Sequence, residues 1–380
     1  MPEIGEVARL VHFLKKHLVG KVIKSVQVQD DPIVYGKAGT TAEEFKKAMT
    51  GKKVVDAQQQ GKYFWLVMSS PPHPVLHNSM TGWIHLSNEF TGYRVDKAES
   101  SKDESWPPRF WKFILETDDP KVKAAFIDAR RLGRVRLVDC AADALRKTTP
   151  LKENGPDPVI DKDVFTQDWF FSKVKGKRVP VKAFLLDQSH ISGIGNWVGD
   201  EILYNARVHP EQYTNSLSDA QLSQLYDSIL EICTTAVETL ADVSKFPEDW
   251  LMKYRWGKGK KGNVLPNGEK IEFLTVGGRT SAVVPTRQKK TGPVAADVEG
   301  GGKAGKGKKA NAVKKEEDDE EEVEEKVRVP KKRKSNVSVK EEEADESKPK
   351  KAKKADTPVK AKSNGTETPR RRSTRVSSGK

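Results

Sequence analysis

The chain begins Met1-Pro2-Glu3-Ile4-Gly5-Glu6, and three of these side chains could do chemistry together. Removal of Met1 would leave Pro2 with a free secondary α-amine. α-Amines titrate near ~8, so a useful fraction is unprotonated at neutral pH. A secondary amine that attacks an aldehyde carbon gives an iminium with no N–H to lose. That fixed cation acts as an electron sink, which Schiff-base chemistry requires. Glu3 and Glu6 stand beside it as acid or base groups. The same residues also suit an ordinary helix start, where proline and acidic side chains favour the first turn. What the rest of the chain brings to this end decides between the two readings.

Val7, Leu10, Val11, Leu14 and Leu18 recur at helical spacing, so Pro2 is expected at the mouth of an amphipathic helix that Gly20 can close. Residues 21–137 change to short apolar or alternating runs. Examples are Val22-Ile23-Lys24-Ser25-Val26-Gln27-Val28, Tyr63-Phe64-Trp65-Leu66-Val67-Met68, Phe110-Trp111-Lys112-Phe113-Ile114-Leu115 and Ala124-Ala125-Phe126-Ile127. Turn-like stretches such as Ser69-Ser70-Pro71-Pro72-His73-Pro74 and Thr117-Asp118-Asp119-Pro120 separate them. This pattern predicts a β-sandwich with the first helix packed on it, over residues 1–148. Residues 149–290 read as mainly helical, most clearly at 180–188, 196–206 and 218–243, with Ser218 as a cap and a further turn or two at 250–254. Lys270-Ile271-Glu272-Phe273 and Ala282-Val283-Val284 flank Gly277-Gly278 as a candidate β-hairpin. The fold class is therefore α+β.

The remainder, 291–380, has no Phe, Trp, Tyr or Leu and reads as a disordered tail. It holds an acidic block at 316–325 and basic clusters at 330–334 and 370–372. The first basic cluster reads as a nuclear import signal, so a nuclear location is expected. The whole chain has 380 residues, 36% of them hydrophobic, and a formal charge of +14. Its pI of 9.4 fits a polyanionic partner, nucleic acid above all, although the tail's lysines supply much of the charge. Lysine tracts should attract DNA without sequence preference, and the acidic block could restrain them. Cys140 and Cys233 are too few for a structural zinc site or a disulfide framework. No apolar run approaches ~20 residues, so no membrane span is expected, nor do the acidic first residues suggest a secretory signal.

The second chemical stretch is Asp187-Gln188-Ser189-His190-Ile191-Ser192-Gly193-Ile194-Gly195-Asn196-Trp197-Val198-Gly199-Asp200-Glu201. Two glycines permit a tight turn before a helix, and free N–H groups at that helix start could hold a phosphate, with Asn196 as an added donor. An ordinary corner with Asn196 as N-cap is the plainer alternative. Glu201, further along the same helix, could face the site or a polar surface.

This run, with Pro2-Glu3, resembles the signature of the formamidopyrimidine-DNA glycosylase/endonuclease VIII family. Further motifs follow in order over roughly residues 2–288. Gly61-Lys62-Tyr63 is similar to the family's β-domain lysine on the lesion phosphate. His77-Asn78-Ser79-Met80-Thr81-Gly82 is similar to the element whose methionine fills the hole left by an extruded base. Asp128-Ala129-Arg130-Arg131-Leu132-Gly133 is similar to the loop that supplies an arginine and an apolar wedge. Gly277-Gly278-Arg279-Thr280 is similar to the tip of a hairpin whose arginine grips phosphates.

The resemblance implies a helix–two-turn–helix domain and a bifunctional glycosylase/AP lyase acting on oxidised purines. Its partner would be double-stranded DNA with oxidised bases or abasic sites, it would act as a monomer, and it would need no metal or nucleotide cofactor. Pro2, Glu3, Glu6 and Lys62 would form the catalytic set. Met80, Arg130, Arg131, Leu132, Asn196 and Arg279, again with Lys62, would hold the DNA. Each also has a plainer reading, since Met80 suits a core and Arg130 or Arg131 could pair with carboxylates. No cysteine follows Cys233, so the hairpin resembles the zincless finger of the fungal and plant branch. Gly5 and Ala8 depart from a frequent proline and glutamate, and Leu132 from a phenylalanine. Residues 256–272 give no sign of the loop that covers 8-oxoguanine, so formamidopyrimidines and hydantoins are the expected preference. Two rivals remain: a non-catalytic DNA- or chromatin-binding protein, and an endonuclease VIII-like enzyme for oxidised pyrimidines.

Overall fold

The computed structural model describes residues 2–92, 106–259 and 262–295, all within one compact unit. The acidic block and both basic clusters of the expected tail lie outside the described residues. Thr291–Ala295, assigned to the tail from sequence, instead run along residues 211–213, where Tyr213 N–H donates to Pro293 O (3.1 Å) and Ala295 N–H to Glu211 O (3.1 Å).

Helix α1 (Ile4–Leu18) leads the chain. The β-rich part then runs β1 (Ile23–Val28), α2 (Ala42–Met49), β2 (Val54–Gln60), β3 (Tyr63–Met68), β4 (His73–His77), β5 (Trp83–Leu86), β6 (Trp111–Thr117), β7 (Lys123–Ile127) and β8 (Arg134–Val138). Two four-stranded antiparallel sheets form, in the orders β1-β6-β7-β5 and β2-β3-β4-β8. Their inner faces share one core, with Ile23, Phe64, Leu66, Phe113 and Phe126 among its members. Strand β3 is apolar throughout because both its faces are covered. Phe64, Leu66 and Met68 enter the core between the sheets, while Trp65 and Val67 meet Leu145 and Leu151 on the outer side.

Two sequence expectations change here. Helix α2 interrupts the stretch read as β-rich. Only Ala42, Phe45 and Met49 carry its buried face, too short a pattern to stand out. The stretch 69–74, read as a turn, ends in strand, with His73 and Pro74 opposite Val138 and Leu137.

The helical part holds α3 (Gln167–Lys175), α4 (Val181–Leu186), α5 (Asn196–Asn205) and α6 (Asp219–Glu238), the last opened by a Ser218–Gln221 capping box. Strands β9 (Glu272–Val276) and β10 (Arg279–Val283) pair as the expected hairpin. Gly277 (φ +60°) and Gly278 (φ +79°) supply the positive φ that its two-residue turn needs.

Helix α1 ties the two parts together. Val7, Leu10, Val11, Leu14 and Leu18 lie in the sandwich core, while Ile4 lies in the helical core. Gly5 makes that junction possible, since a Cβ there would stand 2.7 Å from the carbonyl oxygen of Ala236 on α6.

Candidate nucleic-acid interface around the amino terminus

Pro2 is buried at the entrance to α1, and the residue after it performs two capping tasks. Glu3 and Glu6 form a capping box that starts α1, in which Glu3 N–H donates to Glu6 Oε2 (3.0 Å). The Glu3 carboxylate also reaches across to α5, where Trp197 N–H donates to Oε1 (3.0 Å) and Val198 N–H to Oε2 (3.1 Å). Glu3 thus caps a helix nearly two hundred residues away. Asn196 is not the N-cap, and these two amides are not open to a phosphate, because a carboxylate of the same chain fills the positive end of α5. The glycines serve this approach. A Cβ on Gly195 would stand 2.1 Å from Glu3 Cδ, and one on Gly193 (φ +99°) would stand 2.9 Å from Ile4 Cδ1. The turn is braced from within, since Gly193 N–H donates to Gln188 Oε1 (2.9 Å) and Gln188 Nε2 to Ile194 O (2.8 Å).

Glu6 lies deeper. Its Oε1 accepts from Trp197 Nε1 (3.0 Å), and burial, with Glu3 adjacent, pushes its carboxyl up to about 7. It therefore changes charge near neutrality. Lys62, on the turn between β2 and β3, is buried in the same neighbourhood. Burial pushes its ammonium down to about 8; Arg279 and Lys182 act in the same direction, and Glu3 and Glu6 oppose them. Asp157 holds that turn through Gly61 N–H (2.7 Å).

Arg279 sits half-buried at the start of β10. The hairpin is anchored to α5 at two points. Asn196 Nδ2 donates to Thr280 O (2.9 Å), and Ala282 N–H donates to Asp200 Oδ2 (2.9 Å). Asp200 is buried between Lys182 Nζ (2.6 Å) and Arg255 Nη2 (2.8 Å), and Lys182 Nζ also donates to Asn196 O (2.6 Å). Apolar contacts of Leu265, Ile271, Ala282 and Val284 with Tyr204 and Leu251 complete the support. Gln288 straps the returning chain, accepting from Val284 N–H (2.9 Å) and donating to Val208 O (3.1 Å). Glu201 faces neither the site nor solvent. Its buried carboxyl accepts from Leu251 N–H (3.1 Å) and Met252 N–H (2.7 Å), and burial pushes it up to about 8.

The remaining residues singled out from sequence gather on two adjoining loops. Met80 is half-buried, Leu132 is half-buried, and Arg130 and Arg131 are exposed. Asp128 joins the loops. Its Oδ1 accepts from Thr81 Oγ1 (2.6 Å) and Arg130 N–H (3.2 Å), and its Oδ2 from Gly133 N–H (2.6 Å). Arg131 (φ +57°) is engaged by Asp31 through Nε (2.8 Å) and Nη2 (2.9 Å), so the carboxylate reading of this arginine describes the free protein. The Met80 loop connects back to the strand that follows Lys62 through His77, which pairs with Tyr63 and whose Nδ1 accepts from Ser79 N–H (3.2 Å). Burial, then Lys62 and Arg134, push the His77 imidazole down to about 4, so it is neutral.

Sequence reasoning put Pro2, Glu3, Glu6 and Lys62 in a catalytic set and Asn196 and Arg279, again with Lys62, in a DNA-holding set; geometry and electrostatics gather Glu3, Glu6, Lys62, Asn196 and Arg279 around the amino terminus. It missed Asp128, Asp157, Lys182, Asp200 and Arg255 as supports. Lone acids and bases carry no periodic signal; only the two consecutive acids Asp200-Glu201 in an otherwise apolar helix hinted at buried partners.

The formamidopyrimidine-DNA glycosylase N-terminal domain model matches residues 1–135, and the formamidopyrimidine-DNA glycosylase H2TH domain model matches residues 154–248. The formamidopyrimidine-DNA glycosylase of Arabidopsis thaliana is 38% identical over 290 residues, 76% of this chain and 71% of the relative. That of Pediococcus pentosaceus is 31% identical over 238 residues, 63% of this chain and 78% of the relative. Among solved structures, Lactococcus lactis formamidopyrimidine-DNA glycosylase non-covalently bound to DNA containing an AP site superposes with a TM-score of 0.62 at 26% identity, covering 76% of this chain and all of the other. The motifs, the two antiparallel sheets, the helical part with its hairpin and these matches agree, and the chain belongs to the formamidopyrimidine-DNA glycosylase family.

Proposed function

We propose that this chain, a DNA glycosylase and AP lyase that removes oxidised purines, uses the Pro2 amine as its nucleophile once Met1 is gone. The observation that supports this most is the Glu3 clasp. It holds the residue beside Pro2 between the starts of α1 and α5, so the amine is presented from a rigid frame.

A base inside a duplex cannot be attacked at its sugar, so the nucleotide must be extruded. Met80, Arg130 and Leu132 fill the gap. Lys62, Asn196 and Arg279 hold phosphates of the bent strand, and Arg131 joins them by exchanging Asp31 for a phosphate. Pro2 N then attacks C1′, and the damaged base leaves with the C1′–N bond pair and a proton from solvent. Glu3 takes up the proton that the Pro2 nitrogen sheds and delivers it to the sugar ring oxygen, and the ring opens to the iminium. That cation acidifies the C2′ proton, whose loss expels the 3′ phosphate; a second elimination expels the 5′ phosphate. Glu6, between Glu3 N–H and the Trp197 indole, exchanges a proton near neutral pH and keeps Glu3 oriented. Apart from solvent protons, these steps use the chain's own groups. Formamidopyrimidines and hydantoins rank ahead of 8-oxoguanine as substrates, the protein acts as a monomer, and the 330–334 cluster directs it to the nucleus.

Borohydride should trap a covalent adduct between the mature protein and an abasic or oxidised-base duplex. A protein with residues appended before Pro2 should neither trap nor cut, and Pro2→Gly should do both poorly. Full trapping and cutting by either variant would remove Pro2 from the mechanism. Duplexes carrying formamidopyrimidine, hydantoin, 8-oxoguanine or thymine glycol would order the substrates.

A further inference from the structure

The loop that carries Met80 holds a group with no role so far. Asn78 is 1% exposed, yet neither its Oδ1 nor its Nδ2 has a hydrogen-bond partner among the described residues. Among the described residues, other buried side chains with an unpaired polar atom leave one such atom each, whereas Asn78 leaves both ends of its amide unpaired. Burying a carboxamide without hydrogen bonds costs free energy, so a fold retains such a group only under a competing demand.

The backbone around it is constrained in the same way. Ser79 has φ +51°, a conformation that residues other than glycine rarely adopt. Asn78 O accepts from Gly82 N–H (2.9 Å), and a Cβ on Gly82 would stand 2.5 Å from that oxygen, so the turn closes as tightly as glycine allows. His77 fixes one side of the turn through Ser79, and Asp128 fixes the other through Thr81. A strained turn with an unpaired amide, braced at both ends, is mounted to change conformation when something supplies the missing bonds.

We propose that Asn78 is a specificity residue of this loop: its carboxamide, unpaired in the free protein, takes its hydrogen bonds from the base left facing the gap after a nucleotide is extruded. The proposal rests on the reading of Met80 as the residue that fills that gap. A base edge presents donors and acceptors side by side, which matches the two ends of an amide. A phosphate presents acceptors alone and would leave Oδ1 unpaired, so the orphaned pair fits a base and not the backbone.

The test uses the full chain with Asn78→Leu, similar in shape and apolar, and Asn78→Ala, which cannot overfill the site. Duplexes carry a tetrahydrofuran abasic analogue opposite C, A, G or T. Binding to them needs no chemistry at Pro2, and borohydride trapping on a natural abasic duplex, measured alongside, reports on the Pro2 chemistry. The Leu variant should melt about 2–4 °C higher than the parent, and the Ala variant no lower. The spread of Kd over the four opposite bases should narrow about five- to tenfold in both, the size of one net hydrogen bond. A lower melting midpoint in both variants would mean that Asn78 is already satisfied in the free protein. An unchanged spread, or no spread in the parent, would mean that it reads nothing; either result overturns the proposal.

Discussion

Glu3 and Asn78 are both buried polar side chains near the ends of their elements, and they are treated in opposite ways. Both carboxylate oxygens of Glu3 are hydrogen-bonded, as are both of Glu6. Neither end of the Asn78 amide is. The amino terminus is over-determined, with two helix starts sharing one carboxylate and glycines cut back to let it through. The Met80 and 128–133 loops carry positive φ at Ser79 and Arg131 and present exposed arginines. On the proposed mechanism the contrast has a reason. A nucleophile gains from a frame that does not move, since fixed placement lowers the barrier to bond making. Loops that enter a duplex must leave their resting contacts, so strain there would lower the cost of departure.

Three outcomes would break or sharpen that contrast. The largest effect is expected at the clasp. In Glu3→Gln one amide end must turn its N–H₂ towards a backbone N–H, and the proton donor is lost. Strand cutting should fall roughly 10²- to 10⁴-fold, with duplex binding little changed in a gel-shift titration. A variant that cuts normally would leave the clasp a purely architectural joint.

A smaller and opposite pattern is expected at the loops. Asp128→Asn faces Gly133 N–H or its Thr81 and Arg130 partners with an amide donor and so uncouples the two loops. Excision from duplex lesions should fall about tenfold, the scale of one or two lost hydrogen bonds. Trapping on a single-stranded abasic oligonucleotide, which has no gap to fill, should be preserved. Equal losses on both substrates would merge the two regions into one functional unit.

The smallest effect concerns pH and stability. The folded state holds the Glu6 proton up to about pH 7, whereas the unfolded chain releases it near 4.5. Between those values the folded state binds more protons, so Glu6 contributes stability below about 4.5 that is lost as pH rises to about 7. Glu201, raised to about 8, extends the same trend further. Melting midpoints of Glu6→Gln should therefore vary less with pH than the parent's up to about 7, while the Glu201 part of the slope persists. A slope unchanged by Glu6→Gln would mean that its carboxyl stays ionised in the fold.

Much of the architecture was legible because it depends on local pattern. The α1 stripe, the β3 run, the Ser218 cap and the Gly277-Gly278 turn each follow from periodicity or from a backbone conformation that few residues permit. Helix α2 and the start of β4 escaped, the first because three apolar residues make a faint stripe, the second because three prolines and a histidine read as a turn. The candidate site was legible through its motifs, and partly mistaken in its physics. The 193–196 glycines suggested amides waiting for a phosphate; they clear space for Glu3, which takes amides of the helix that follows.

By itself, the sequence determined which chemistry was available: a secondary amine at the chain start, acids beside it, cations and an apolar wedge on separate motifs, and no cysteine at the hairpin. Residue type sets reactivity, and type is written in the chain. Only the tertiary structure decided which groups are occupied and which are held ready. Glu3 is spent on α5, Arg131 on Asp31 and Asp200 on the hairpin, while Asn78 is buried without partners. Those assignments depend on distances between residues far apart in the chain and on exclusion of water from the contacts, and neither is a property of local sequence.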